Sequence, residues 1–458
     1  MYAVVPAKST ATAEEVGAAG AERVAATRET STVGARLAAV CDMTEEHPYA
    51  GTPISARHAA AISAMIDDVA ATAAEGADGR PTRTGQRKQR SMGSACRYEE
   101  VCRLGEGEFS VVAKARHHAT GQVVAAKSLI KSSDGDDDDQ DEGVCDLLRD
   151  ACFMAACRGE PSHVGLHGIA RAPGTGDYSL VMDFVGPTTL LDVIGRRPRQ
   201  DGPFPEADVH RVMRQLLAGA EAMHRRGIVH RDIKPENTLV GDGGALKICD
   251  FGAAKYVGEQ DPPYLVIGTM TYMALEALLE NPDHDTLVDS WSLGCVMADL
   301  LADDKLFLEV GEDMDMTGQL YQIFDVLGVP GKRAWQSLKP SPELADKVQQ
   351  WRARQRRVGH RNRLRDLFPE EVLSKDGFEV LRGLLTCDPK KRLTAAAALR
   401  CRWFTDNVDD GPLIIPGAAP GVWKAGTAMA TTVWSQVVAC VGRALGLLRP
   451  KALLNLTM

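Results

Sequence analysis

The chain lacks what would mark a membrane-spanning, secreted or fibrous protein. No run of 18 apolar residues occurs in its 458 positions, so no membrane span is expected. Its first residues, MYAVVPAKSTATAEEVG, carry no basic stretch followed by an apolar core, unlike a secretory signal. There is no CxxC pair, and no His stands at zinc-finger spacing from two Cys. The eleven cysteines are odd in number and scattered from Cys41 to Cys440. A disulfide framework and a structural zinc site are therefore not expected; a reducing compartment, nucleus or cytoplasm, is. A bulk excess of positive charge is absent too. The net charge is −9, and the acidic run Asp134–Glu142, with seven acids and no base, supplies most of it. Nucleic acid is thus not an expected partner on electrostatic grounds. The hydrophobic and charged fractions, 44% and 25%, are ordinary for a globular chain.

Texture divides the sequence. Residues 1 to about 97 are rich in Ala, Gly, Thr and Glu and hold two aromatics, Tyr2 and Tyr49. Such a stretch buries too little apolar area to offset its ordering entropy, so a disordered extension is expected, with one short helix over Ser55–Ala70. It ends in a basic cluster, Arg80, Arg83, Arg87, Lys88 and Arg90, which reads as a solvated linker or a polyanion-binding patch. From Tyr98 the alternating runs VVAKARH and QVVAAKSLI, broken at Thr120-Gly121, predict a small antiparallel sheet. After Pro203, Val209, Val212, Met213, Leu216, Leu217 and Ala220 recur at helical spacing on one face. The ordered part is expected to end near Phe404, and the apolar tail to dock or stay disordered.

Chemistry enters with Leu104-Gly105-Glu106-Gly107-Glu108-Phe109-Ser110-Val111-Val112. A glycine pair between strands lets backbone N–H groups approach phosphates, because no Cβ holds the ligand away. Lys127 follows at the end of VVAAK, where a strand would aim its ammonium at the same phosphates. Further on stands His230-Arg231-Asp232-Ile233-Lys234-Pro235-Glu236-Asn237, and thirteen residues later Asp250-Phe251-Gly252. Asp232 beside Lys234 suits orienting a hydroxyl, and Asn237 and Asp250 are the hard oxygen ligands that Mg²⁺ prefers. The ordered set is far more specific than any member alone.

This set resembles the eukaryotic protein kinases, from about Tyr98 to Phe404. The resemblance implies an α+β bilobal fold, with a β-rich N-lobe at 98–185, an α-rich C-lobe at 186–404 and a tail at 405–458. It also implies ATP and Mg²⁺ as cofactors and protein Ser/Thr hydroxyls as substrate. By the same resemblance Lys127 pairs the α- and β-phosphates, and Asp232 is the catalytic base. Lys234 contacts the γ-phosphate, and Asn237 and Asp250 hold the metal. Gly268, Thr269 and Tyr272 match the substrate-positioning segment, Asp289 the brace of the catalytic loop, and Arg392 the partner of Glu276. The adenine pocket would have Leu104, Val112 and Ala125 as roof, Leu239 as floor and Met182 as gatekeeper. Asp183, Phe184 and Val185 would form the hinge, with Cys249 at the rear.

Several positions depart from the family pattern. The third loop glycine is Ser110, and the proline of the APE motif is Leu275. The helix-C glutamate aligns with Asp150, given one inserted residue before Pro161. Being one methylene shorter, Asp150 should reach Lys127 only with an inward helix or through water. No Ser or Thr lies between Asp250 and Gly268, and the usual loop phospho-threonine aligns near Tyr264. Glu259 or Asp261 is expected to replace that phosphate opposite Arg231. Glu108 and Phe109 stand where cell-cycle members carry an inhibitory Thr-Tyr pair.

Gln319-Leu320-Tyr321-Gln322-Ile323-Phe324 with Gly328-Val329-Pro330 is similar to the insert region of cyclin-dependent and MAP kinases, the CMGC group. ACRGEPSHVGLHG is similar to plant F-type cyclin-dependent kinase-like proteins. No PSTAIRE-type helix is recognisable, so a regulatory protein partner is open and a cyclin is not implied. The seven arginines from Arg352 to Arg365 read as a solvated arm or an acidic docking site. A scaffold that binds ATP without transfer is the rival reading, supported by Ser110, Asp150 and Leu275.

Overall fold

A computed structural model gives the architecture. It describes residues 93–94, 97–107, 110–130, 147, 149–171, 178–197, 202–259, 267–281, 285–302, 305–307, 316–338, 340, 342–354 and 361–406. Outside them lie the Ser55–Ala70 helix, the basic cluster, the acidic run, Glu108, Phe109, Asp261, Tyr264 and the tail beyond Asp406. The chain divides into two units, Met1–Gly93 and Ser94–Met458. All described residues but Gly93 belong to the second.

The N-lobe sheet has six strands: β1 (Gly93–Ser94), β2 (Tyr98–Glu106), β3 (Ser110–His117), β4 (Val123–Leu129), β5 (Leu166–Arg171) and β6 (Tyr178–Asp183). From β5 they run in the order β5-β6-β4-β3-β2, each pair antiparallel. The β3–β4 hairpin turns at Thr120-Gly121. Gly121 adopts φ +68°, a conformation that favours glycine, and its N–H donates to His117 O at 2.8 Å. The alternation in these strands buries Ala115, Val124, Ala170 and Val181 together, with Tyr98 and Ala126 packed against them. A helix, α1, has described residues 147 and 149–156 and buries Leu147, Ala151, Phe153 and Met154.

The C-lobe is helical. α2 (Leu190–Arg196) starts at a capping box: the Thr189 hydroxyl accepts from Asp192 N–H at 3.1 Å, and Asp192 accepts from Thr189 N–H at 2.8 Å. α3 (Glu206–His224) buries the whole predicted stripe, Val209 through Ala220. Each such side chain contributes ~1.5–3 kcal/mol on removal from water. The short α4 (Leu275–Leu278) precedes α5 (Leu287–Ala302), buried from Val288 to Leu301. α6 (Met316–Leu327), α7 (Lys332–Ser337), α8 (Pro342–Arg354) and α9 (Leu364–Leu367) follow. α10 (Lys375–Leu384) then packs on α5 so closely that a Cβ on Gly294 would lie 2.8 Å from Leu385. Between α3 and α4 two small pairs form: β7 (Ile228–Val229) with β10 (Lys255–Tyr256), and β8 (Thr238–Val240) with β9 (Leu246–Ile248). The β8–β9 hairpin sets Asn237 and Asp250 at its two open ends.

Candidate active site

Strand register carries Lys127 to the glycine loop. Gly105 pairs Val112, Val112 pairs Lys127, and Lys127 pairs Leu180, one line across the sheet. Lys127 Nζ donates to Asp150 Oδ2 and to Asp250 Oδ1, each at 2.7 Å. Burial alone would lower the pKa of this amine, but the two carboxylates outweigh it and hold the ammonium above its ordinary range. Burial likewise opposes ionisation of Asp250, and the Lys127 charge overcomes it. Asp150 Oδ1 accepts the Phe251 N–H at 3.1 Å. The short aspartate thus reaches Lys127 directly, without bridging water, because α1 lies against the 250–259 segment.

Asp232 is clamped on both oxygens. Oδ1 accepts the Thr269 N–H at 2.9 Å and the Thr269 hydroxyl at 2.7 Å. Oδ2 accepts Asn237 Nδ2 at 2.9 Å and lies 2.9 Å from Lys234 Nζ, which also donates to Thr269 Oγ1 at 2.6 Å. Asn237 Nδ2 donates to Asp232 O as well, so two acceptors face the same amide nitrogen and fix its orientation. Asn237 Oδ1 and Asp250 Oδ2 take no hydrogen bond among the described residues. Those two free hard oxygens fit Mg²⁺, which is held by one or two protein oxygens together with phosphates.

The loop beneath is braced by Asp289, fully buried on α5. It accepts the Arg231 N–H on Oδ1 at 2.8 Å, and the His230 N–H and His224 Nε2 on Oδ2, each at 2.9 Å. Burial would raise its pKa, but these donors, His224 first, pull it below the usual carboxylate range. Arg231 stands at φ +68°, left-handed backbone held by this network, and Asp250 at φ +63°. The His230 ring meets Cys249 O through Nε2 at 3.1 Å and accepts the Asp232 N–H on Nδ1 at 3.3 Å. That pattern suits the neutral Nε2–H tautomer. Phe251, fully buried, packs between the rings of His230 and His163, at 5.1 and 5.9 Å.

The pocket residues Leu104, Val112, Ala125, Met182, Val185 and Leu239 are buried or half-buried; Gly105, Glu106 and Gly107 are exposed. Ala125 pairs Met182 across the sheet. Ser110 and Val111 begin β3, and Ser110 O accepts the Gly107 N–H at 2.8 Å. Asp183 closes β6, where the hinge is expected to begin. Its N–H donates to Gly165 O, and its carboxylate accepts from Gly165 N–H and His167 Nε2. Any hinge donor to a purine must therefore come from a later residue. Phe184 instead carries Lys114 Nζ 4.4 Å above its ring. Cys249 donates its thiol to Asn237 O, and burial pushes its pKa well up, the state of an inert thiol.

The loop-phosphate expectation is corrected for Glu259; its other candidate, Asp261, lies outside the described residues. Glu259 does not meet Arg231; its Oε2 accepts Arg149 Nη2 at 3.1 Å, while Arg231 Nε turns to Ala253 O. Packing of α1 brings Arg149 to Glu259, while Arg231 meets the same segment at Ala253. Arg149 escaped sequence reasoning, although its place next to Asp150 in LLRDACFM was the available signal. Farther along, Gly268 sits at φ +113°, where a Cβ would lie 2.5 Å from Arg231 O. Glu276 and Arg392 form a buried two-pronged pair at 2.5 and 2.9 Å. Leu275, in place of proline, starts α4 with its side chain fully buried. Of the arginine stretch, Arg361 pairs Asp366 and Arg365 pairs Glu370 within the C-lobe.

A glycine-loop sheet edge, a strand lysine bridging two acids and a clamped aspartate define a phosphoryl-transfer class of protein. The chain matches the protein kinase domain family over residues 98–404 and belongs to that family. Among known proteins it is 43% identical over 315 residues to "Putative cyclin-dependent kinase F-2" of Oryza sativa subsp. japonica, covering 68% of this chain and 90% of that one. It is 33% identical to "Cyclin-dependent kinase G1" of Arabidopsis thaliana, over 67% of this chain but only 48% of that protein. It is 32% identical to "Cell division control protein 2 homolog 3" of Trypanosoma brucei brucei, over 68% of this chain and 92% of that one. The chain is a cyclin-dependent kinase-like member, with the sheet-rich N-lobe and helical C-lobe of its family. No helix among the described residues is long and apolar enough to cross a membrane.

Proposed function

We propose that the chain is a catalytically active serine/threonine protein kinase, transferring the γ-phosphoryl group of ATP to protein hydroxyls in the nucleus or cytoplasm. Its kinase domain spans 98–404, flanked by an extension and a tail, and a regulatory protein is its proposed partner. The observation that carries this reading is the assembled charge set: Lys127 joined to Asp150 and Asp250, and Asp232 held by Asn237 and Lys234. A hydroxyl already donates to Asp232 Oδ1 at 2.7 Å, from Thr269. A substrate hydroxyl delivered to the same carboxylate would be oriented there and give up its proton. Lys127 and Lys234 supply positive charge on either side of the transferring group, and positioning with electrostatics accounts for most of the acceleration. Asn237 and Asp250 would hold Mg²⁺, which neutralises phosphate charge.

Ser110 and Leu275 favour a second reading, an ATP-binding scaffold without transfer. Purified protein, Mg-ATP labelled on the γ-phosphate and a basic protein substrate separate the two. Asp232→Asn should lower transfer by roughly 10²–10⁴-fold and keep thermal stabilisation by Mg-ATP. Stabilisation of the wild type without any transfer would establish the scaffold instead.

A further inference from the structure

One departure from the family pattern, Asp150, lies on α1. Asp150 and Arg149 are neighbours on α1, and both reach the 250–259 segment. Asp150 joins Lys127 to the Phe251 N–H. Arg149 donates from Nε and Nη2 to Ala254 O at 3.3 and 3.1 Å, and from Nη2 to Glu259 at 3.1 Å. Glu259 Oε2 also accepts the Tyr256 N–H at 3.0 Å, which ties the carboxylate to its own backbone. The pair is largely withdrawn from water, with 15% and 12% of the side chains exposed. Arg149 packs 5.3 Å above the Phe153 ring, so its guanidinium has little freedom to go elsewhere.

We infer that Glu259 is a positioning residue: through Arg149 it holds α1 close enough for the short Asp150 to ion-pair Lys127 without any loop phosphate. Aspartate is one methylene shorter than glutamate, so the 2.7 Å contact needs a closer helix. No phosphoserine or phosphothreonine can supply that pull, since no Ser or Thr lies between Asp250 and Gly268. The Glu259 carboxylate is a permanent charge at the far end of the same segment. The short acid and the loop glutamate are thus one device in two parts. The inference rests on Lys127 contacting ATP, as in the proposed function, but not on transfer taking place.

The two parts make a testable pair. Mg-ATP affinity is measured by thermal shift, and kcat and KM for ATP by transfer. The proteins are wild type, Glu259→Gln, Glu259→Asp, Glu259→Ala, Asp150→Glu and the Asp150→Glu/Glu259→Gln double variant. Losing a charge-assisted hydrogen bond should weaken Mg-ATP binding by about tenfold in Glu259→Gln. Glu259→Asp, which keeps the charge, should recover part of that. In the Asp150→Glu background the longer acid reaches Lys127 from a more distant helix, so Glu259→Gln should cost at most about threefold. Phosphatase treatment should leave every value unchanged. Equal losses in the two backgrounds, or a Glu259→Gln effect within about twofold of wild type, would overturn the inference. Far-UV circular dichroism identifies a variant that has merely unfolded. The test then rests on Glu259→Asp, whose ATP affinity must lie between those of wild type and Glu259→Ala. If the wild type binds Mg-ATP but transfers nothing, the proposed activity fails and the affinity series still decides the coupling.

Discussion

Arg392→Ala is the sharpest probe of what holds the C-lobe together. Arg392 and Glu276 have side chains 0% and 3% exposed. Nη1 and Nη2 meet the two Glu276 oxygens, Nε donates to Thr386 O at 2.9 Å, and Nη1 also donates to Leu287 O at 2.9 Å. The guanidinium lies 5.1 Å above the Trp291 ring. Truncation therefore strands a buried carboxylate and takes a donor from two half-buried residues' carbonyls. Breaking one side of such a pair costs about 3–5 kcal/mol. Folded domains are stable by only about 5–15 kcal/mol in all, so a fifth or more of the margin would go. Each kcal/mol lowers the midpoint by about 2–4 °C in larger domains, and the drop should be roughly 6–20 °C. Urea unfolding and calorimetry of the purified chain give both numbers. The Arg392→Met/Glu276→Leu double variant removes both charges and should recover at least half of the loss, because no ion is left buried. If Arg392→Ala costs less than about 1 kcal/mol, or the double variant is as damaged as the sum of its single changes, the reasoning is wrong.

Two further outcomes follow from buried titratable groups. Asp299, 4% exposed, has its carboxyl pushed up to about 6 by burial, against hydrogen bonds from the Leu306 N–H and the Tyr272 hydroxyl. The folded form then binds a proton more tightly than the unfolded chain, so this group favours the fold below its unfolded pKa, and the contribution is lost as pH rises through about 6. Between about pH 4 and 7 the wild type should lose about 2 kcal/mol of stability relative to Asp299→Asn, and a flat difference in urea unfolding would contradict this. Among the described cysteines, Cys102 is exposed, whereas burial pushes Cys152 and Cys157 up to about 12 and Cys249 well above its ordinary value. Mass spectrometry after brief alkylation at about pH 8 should find Cys102 labelled first of these four; early labelling of Cys249 would show that its pocket opens.

The α3 stripe, the β3–β4 hairpin and the order of Lys127, Asp232, Asn237 and Asp250 are all legible in the chain, because each rests on local periodicity or short motif spacing. Legibility stops where a contact joins distant positions. Asp150 lies 23 residues from Lys127, so nothing local says how near α1 comes. Arg149 and Glu259 are 110 residues apart. Any of several acids can face any of several arginines, and it is Arg149 rather than Arg231 that meets Glu259. The partners of the Asp183 carboxylate, Gly165 and His167, are likewise distant in sequence, in the β5 region rather than in its own strand.

By itself the sequence determined the set of chemical groups and the order in which two lobes present them. Side-chain period and backbone turns act within a few residues, and they suffice for strands, helices and motif loops. The tertiary structure alone decided which charges meet: that Asp150 reaches Lys127 without water, and that Glu259 answers Arg149. Those choices depend on how closely α1 packs against the 250–259 segment, and packing is a property of the whole folded lobe rather than of any stretch of chain.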